Sequence, residues 1–319
     1  MKIPRILLAA GASGSGKTLI TCGLLQALVN RKKKVASFKC GPDYIDPMFH
    51  SRVIGTKSRN LDTFFTDADT TRYLLRRNAA DCDIAVMEGV MGFYDGVGGI
   101  STRASAYDLA DTTDTPVILI VNSRGMSISL AAYIKGFMEY KENSHIKGVI
   151  FNQMSPMLYP RMKKLVEEEL GIEVFGYVPK VEDCVIESRH LGLVLPEEIV
   201  DLKERLQKLA GVLEETLEID RILALAENAP DLNAPESLSQ KNPAFDFRLP
   251  QKLRIGVAKD EAFCFFYEDN FRLLQEMGAE LVEFSPVHDA YLPKDLDGIL
   301  LYGGYPELNG EALERNESM

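Results

Sequence analysis

Gly11-Ala12-Ser13-Gly14-Ser15-Gly16-Lys17-Thr18 has the residue types and spacing of a nucleotide phosphate cradle. The glycines at 11, 14 and 16 let backbone N–H groups wrap phosphate oxygens, and a following helix adds the positive end of its dipole. Lys17 can reach the β- and γ-phosphates, and the Thr18 hydroxyl can ligate Mg2+. Glu88 ends the apolar stretch IAVMEG, where the second acid of such a magnesium site belongs, although alone it would read as a solvated strand-end carboxylate. The glycines at 89, 92, 96, 98 and 99 predict a loop that closely approaches a ligand. In KCGPDYIDP, Asp43 and Asp46 lie three apart behind Lys39, in a loop stiffened by glycine and proline. These aspartates either hold Mg2+ or orient a nucleophile, or they bond the backbone amides of a turn. Residue types leave both readings open, and they reach a magnesium–nucleotide enzyme or switch without reaching a substrate.

The elements that must position these residues alternate. Arg5–Ala10, Val35–Cys40, Asp83–Glu88, Val117–Asn122 and Lys147–Met154 read as short apolar strands, with Glu173–Pro179 as an edge strand. Thr18–Asn30, Ser127–Tyr140 and Tyr159–Leu170 read as helices between them. Near-continuous apolar strands separated by helices predict an α/β fold, a parallel sheet covered by helices on both faces. Right-handed crossovers then bring all strand carboxyl ends to one edge, where ligands bind. Val200–Ala226 reads as charged helix and Asn228–Pro250, rich in proline, as a linker. A second, incomplete α/β unit follows, with strands Leu253–Ala258, Glu280–Phe284 and Gly298–Tyr302 and helices Asn270–Met277 and Gly310–Ser318. The predicted division is a nucleotide-binding domain over 1–226, a linker over 227–251 and an incomplete second α/β domain over 252–319.

The 319 residues carry a net charge of −11, which disfavours nucleic acid or an anionic membrane as partner. Five scattered cysteines without a C-x-x-C pair suit a reducing cytoplasm and offer neither a disulfide frame nor a zinc site. No apolar run approaches membrane-spanning length.

KCGPDYIDPMFH, NLDTFF, VMEGVMGFYDG, SRHLGLV, DEAFCFFYEDN and GGYPEL occur in this order over nearly the whole chain. Together they resemble the cobyrinic acid a,c-diamide synthases, within the dethiobiotin-synthetase-like group of phosphate-loop enzymes. The resemblance implies amidation of the a and c carboxylates of cobyrinic acid, in which ATP phosphorylates the carboxylate and ammonia attacks the acyl phosphate. It places Asp43, Asp46 and Glu88 around metal, phosphates and reacting carboxylate, and Lys39 on phosphate or substrate. Asn152 matches an asparagine that contacts adenine in the wider group, and equally suits a strand-end turn cap. Asp62, in the NLD signature, and Arg59, Arg189 and His190 are the candidates for substrate contact, the last three as partners of corrinoid carboxylates.

In the family a second, triad domain releases ammonia from glutamine. Gly303-Gly304-Tyr305-Pro306 resembles the turn that helps build its oxyanion hole, while the Cys-Gly-Gly elbow and the later histidine are not in this sequence. Cys264 reads as a packing cysteine. The expectation is that this chain uses ammonia rather than glutamine, and that its half-built second sheet leaves an edge open to aggregation or a homodimer contact. Sister enzymes acting on hydrogenobyrinic acid or nickel-sirohydrochlorin are close alternatives. A partitioning-type switch ATPase is a distant one, because Ala12 stands where those proteins carry a signature lysine.

Overall fold

The computed structural model describes residues 1–181, 196–239 and 246–319. The SRHLGLV motif, with Arg189 and His190, lies outside the described residues. Two compact units, Met1–Glu236 and Ser237–Met319, make up the chain.

The first unit runs β1 (Arg5–Ala10), α1 (Lys17–Asn30), β2 (Val35–Cys40), α2 (Ile45–Phe49), β3 (Lys57–Leu61), α3 (Ala68–Ala79) and β4 (Ile84–Glu88). It continues through α4 (Ala106–Thr113), β5 (Val117–Asn122), α5 (Ser129–Glu139), β6 (Ile146–Asn152), α6 (Tyr159–Leu170), β7 (Glu173–Val178), α7 (Pro196–Thr216) and α8 (Ile219–Glu227). Its seven strands form one sheet in the order β3-β2-β4-β1-β5-β6-β7, and every ladder is parallel. The expected parallel sheet with helices on both faces is therefore present.

Alternation along β1 divides its side chains between two cores. Ile6, Leu8 and Ala10 face a cluster that includes residues of α1, α7 and α8, while Leu7 and Ala9 face one that includes residues of α3 to α6. Burying each such aliphatic side chain contributes roughly 1.5–3 kcal/mol, so the central strands hold the site rigidly from beneath.

Three features depart from the sequence expectation. The edge strand β3 (KSRNL) is polar, and only Ser58 and Leu61 are buried in it, so it carries no apolar run. Helices α3 and α4 begin at Asp67 and Ser105, whose side chains accept the Thr70 and Asp108 amide protons. The helix expected over Val200–Ala226 breaks after Thr216, because Leu217 bridges to Gly176 and the Glu218 N–H donates to the Phe175 carbonyl at 2.8 Å.

Arg5 is fully buried at the start of β1 and ties that strand to the end of α4. Its guanidinium donates to the carbonyls of Ile3, Thr113 and Asp114, each at 3.0 Å, and to the Thr115 hydroxyl at 3.2 Å. Burial lowers its pKa to about 10. Arg5→Ala should destabilise the first unit by about 3 kcal/mol, because several buried carbonyls lose a charged donor together. Urea unfolding measures this, and an unchanged midpoint would show that the α4 terminus is held by other contacts.

In the second unit, β8 (Arg254–Ala258), α9 (Glu268–Glu276), β9 (Glu280–Phe284), β10 (Gly298–Leu300) and α10 (Gly310–Arg315) follow in turn. β8 lies between β10 and β9, again in parallel. Cys264 is buried, and its N–H donates to the Gly303 carbonyl at 3.0 Å. Among the described residues no helix is long and apolar enough to cross a membrane.

Candidate active site

The carboxyl ends of β1, β2 and β4 bring the predicted residues together. Register does most of this: Lys39 on β2 is paired with Glu88 on β4, and Leu8 on β1 flanks Glu88 from the other side. Between β1 and α1 the phosphate loop turns through left-handed conformations at Gly14 (φ 75°) and Gly16 (φ 92°). Gly16 is also required by space, since a Cβ there would lie 2.1 Å from the Asn152 side-chain nitrogen. That nitrogen donates to the Ser15 carbonyl at 2.8 Å, so Asn152 clamps the loop in this structure.

Lys17 is buried and folds back over the loop. Its ammonium donates to the Met91 carbonyl at 2.5 Å and to the Ala12 carbonyl at 3.3 Å. Met91 itself adopts a left-handed conformation (φ 44°) that non-glycine residues seldom take. Burial lowers the Lys17 pKa, with Glu88 opposing. The Thr18 hydroxyl donates to Glu88 Oε1 at 2.7 Å.

Lys39 is the hub of a carboxylate cluster. Its ammonium is 2.9 Å from Glu88 Oε1 and 3.6 Å from Asp43 Oδ2, and it also bonds Asp46. Burial works against its charge, but Glu88, Asp46 and Asp43 outweigh it and hold the pKa above the ordinary lysine value. Asp43 serves the turn as well: its Oδ1 accepts the N–H groups of Ile45 (2.9 Å) and Asp46 (3.2 Å) at the start of α2. The turn reading of Asp43 is thus met by Oδ1, while Oδ2 faces Lys39.

Sequence reasoning passed over two residues here. Asn60 staples the aspartate loop by donating to the carbonyls of Gly41 (3.0 Å) and Asp43 (2.6 Å). The signal lay in the NLDTFF motif, to which no structural role had been attached for Asn60. His50 is completely buried, 3.6 Å from Glu88 Oε2, and burial lowers its pKa to about 4. Nothing in the spacing of KCGPDYIDPMFH shows that its last residue folds back onto a strand 38 positions away.

Arg59 lies in the middle of β3 and Asp62 just beyond its end. The Arg59 guanidinium donates to the Ser58 carbonyl, and Asp62 accepts the Phe64 N–H at 2.9 Å. The glycine-rich loop after β4 packs on its own chain: a Cβ at Gly92 would lie 2.3 Å from Asp95 Oδ2 and 2.8 Å from the Gly11 carbonyl. Gly98 and Gly99 instead supply positive φ, Gly99 in open space and Gly98 with the Ile100 side chain 3.9 Å from where a Cβ would lie. A cavity of about 800 Å3 opens beside Gly11, lined in part by Asp95, Tyr94, Tyr133, Phe137 and Tyr140.

Among the described residues no group of three or more His, Cys, Asp or Glu side chains is arranged to cage a metal ion. A nucleotide-bound Mg2+ does not need one, since it keeps waters and phosphate oxygens and takes only one or two protein ligands. The Thr18 hydroxyl and Glu88 carboxylate, 2.7 Å apart beside the loop, fit that requirement. Among the described residues Glu88 Oε2 has no hydrogen-bond partner despite its burial.

Residues 6–193 match the CobQ/CobB/MinD/ParA nucleotide binding domain, and residues 254–319 match the CobB/CobQ-like glutamine amidotransferase domain. The chain is 42% identical to a cobyrinate a,c-diamide synthase of Dehalococcoides mccartyi (strain CBDB1), over 100% of this chain and 68% of that one. It is 39% identical to the enzyme of that name from Priestia megaterium, over 97% of this chain and 66% of the other. With that of Clostridium acetobutylicum the identity is 40%, over 98% and 69%. The chain thus spans about two thirds of the length of these relatives. A phosphate loop facing a lysine-bridged carboxylate cluster, two matching domain families and this similarity agree: the chain belongs to the cobyrinate a,c-diamide synthase family.

Proposed function

We propose that the first unit uses ATP to activate the a and c carboxylates of cobyrinic acid for amidation, in cobalamin biosynthesis. A carboxylate is a poor electrophile, so an oxygen of it attacks the γ-phosphorus and ADP departs, leaving an acyl phosphate. Ammonia then attacks the acyl carbon, phosphate leaves with the former carboxylate oxygen, and the nitrogen gives up a proton. The match of residues 254–319 to a glutamine amidotransferase domain supports glutamine as the source of that ammonia in the full-length enzyme of the family, while this chain is expected to use free ammonia.

The observation that carries the reading is Lys39, charged and buried between Glu88 and Asp46 beside the Thr18 hydroxyl. Two anions, the nucleotide and the substrate carboxylate, must meet here, and fixed charge lowers the cost of bringing them together. Lys17 swings from the Met91 carbonyl to the transferring phosphate, and Lys39 faces the reacting carboxylate. Asp43 and Asp46 hold Lys39 in place. Thr18 and Glu88 would hold Mg2+, which neutralises phosphate charge when bound. Asn152 fixes the loop and stands at the adenine side. Arg59, Asp62, Arg189 and His190 remain the proposed contacts for peripheral carboxylates and amides of the substrate.

A large macrocycle needs an apolar bed around that charged centre. The loops leaving the carboxyl ends of β3, β4, β5 and β6 each carry exposed large apolar side chains: Phe64 and Phe65, Met91 and Ile100, Ile128, and Met157. This supports a tetrapyrrole rather than a small acid as substrate. The test incubates the protein with MgATP, ammonium chloride and, in parallel, cobyrinic acid, hydrogenobyrinic acid or nickel-sirohydrochlorin, and follows products by mass spectrometry. The expected result is the a,c-diamide of cobyrinic acid as the preferred product. Preference for another tetrapyrrole would reassign the substrate, and no amide from any of the three would refute the reading.

A further inference from the structure

His50 stands where α2 passes into a single wide turn, His50–Ile54, with π-helical hydrogen bonding. Such turns are rare and concentrate at functional sites. Its main chain is fixed, because the His50 carbonyl accepts from the Gly55 N–H (3.0 Å), the Thr56 N–H (3.1 Å) and the Thr56 hydroxyl (3.1 Å). The ring is therefore delivered to one place, with no exposed surface. Among the described residues neither ring nitrogen has a hydrogen-bond partner. Glu88 Oε2, 3.6 Å from Nε2, has none among them either. Buried polar atoms almost always find partners. Here an unpartnered donor-acceptor ring and an unpartnered carboxylate oxygen face each other a few tenths of an ångström beyond bonding distance.

The other oxygen of Glu88 is fully used: Oε1 takes the Thr18 hydroxyl at 2.7 Å and the Lys39 ammonium at 2.9 Å. The first of those partners, Thr18, follows the phosphate loop directly. His50 Nε2 instead faces the other oxygen, Oε2, at 3.6 Å. We infer that His50 is the positioning residue of Glu88, donating its Nε2 proton to Oε2 when nucleotide draws the carboxylate forward and so fixing which way Oε1 points. The inference rests on Glu88 being the acid of the magnesium site. It adds a residue that packs behind that site and touches neither phosphate nor substrate.

Outer partners of metal-binding carboxylates typically carry about 10- to 100-fold in metal affinity or activity. A merely structural buried histidine behaves differently, because replacing an unpartnered polar group by an apolar one of similar shape is near neutral or stabilising. The test is calorimetric titration of ATP into the protein at stepped Mg2+ concentrations, for the parent, His50→Phe, His50→Gln and His50→Asn. No tetrapyrrole is present, so the result is independent of whether the proposed substrate is right. The expected outcome is a Mg2+ midpoint raised about 10- to 100-fold in His50→Phe and near the parental value in His50→Gln, whose amide can reach Oε2. His50→Asn, whose amide is too short, should behave as His50→Phe and replaces it in the comparison if the phenylalanine variant does not fold. Parental midpoints in both His50→Phe and His50→Asn would overturn the inference, as would a His50→Gln midpoint shifted as far as theirs.

Discussion

Lys17→Ala should abolish ATP-dependent amidation while the protein remains folded. Among the described residues the ammonium is held by two carbonyls and by no carboxylate, so the rearrangement onto phosphate breaks no ion pair among them. Its partial loss of hydration is already visible in the lowered pKa, which makes it a stronger partner for an incoming anion. Deleting a single preorganised neutral donor to a developing charge typically costs ~100- to 1000-fold in kcat, and a full charge on the transferring phosphoryl group should cost at least that. The Lys17 stem lies over the loop rather than in either core, so thermal unfolding should shift little. Wild-type amidation by a well-folded Lys17→Ala protein would remove the phosphate loop from the chemistry.

The second large effect is expected at the paired aspartates, and the structure makes the experiment cleaner than spacing alone could. Asn at position 43 retains the side-chain oxygen that caps Ile45 and Asp46, while the charge 3.6 Å from Lys39 disappears. Asp43→Asn therefore separates the turn role from the electrostatic one: a fully active variant would mean that Asp43 only shapes the turn. Asp46→Asn removes the closer partner of a buried ammonium, and losing one member of a buried pair costs about 3–5 kcal/mol. Glu88 and Asp43 remain on Lys39, so the stability loss should fall at or below the lower end. Catalytically, both variants should lower kcat about 100-fold or more while KM for ATP stays near parental, because the interaction matters when charge develops and not when nucleotide docks. Steady-state amidation kinetics over ATP concentration separate these parameters. A raised KM with unchanged kcat would make the aspartates part of the nucleotide site.

These residues were legible because their chemistry is local. A glycine-spaced loop between an apolar run and a helix, and a carboxylate closing an apolar strand, declare themselves in a few consecutive positions. What the sequence concealed is registration across the sheet. Lys39 meets Glu88 because β2 and β4 pair in parallel with those two residues opposite each other. Nothing in either segment sets that register. The polar strand β3 was silent for the same reason, since its order comes from the ladder to β2 and not from its own composition. Helices α3 and α4 were readable in principle, through the caps Asp67 and Ser105. Asn152 shows the limit of motif reading: its strand-end position was evident, but not that its amide is spent on the Ser15 carbonyl beneath Gly16.

The central claim is that a carboxylate oxygen becomes a phosphate oxygen at this site. It is tested most directly by supplying cobyrinic acid labelled with heavy oxygen in its carboxylates, together with MgATP and ammonium, and analysing the released phosphate by mass spectrometry. The account predicts one labelled oxygen in phosphate for each amide formed, with no labelled phosphate from Lys17→Ala. Amide formed while the phosphate carries only the oxygens of ATP and water would contradict it, because the carboxylate would then have been activated by some route other than an acyl phosphate.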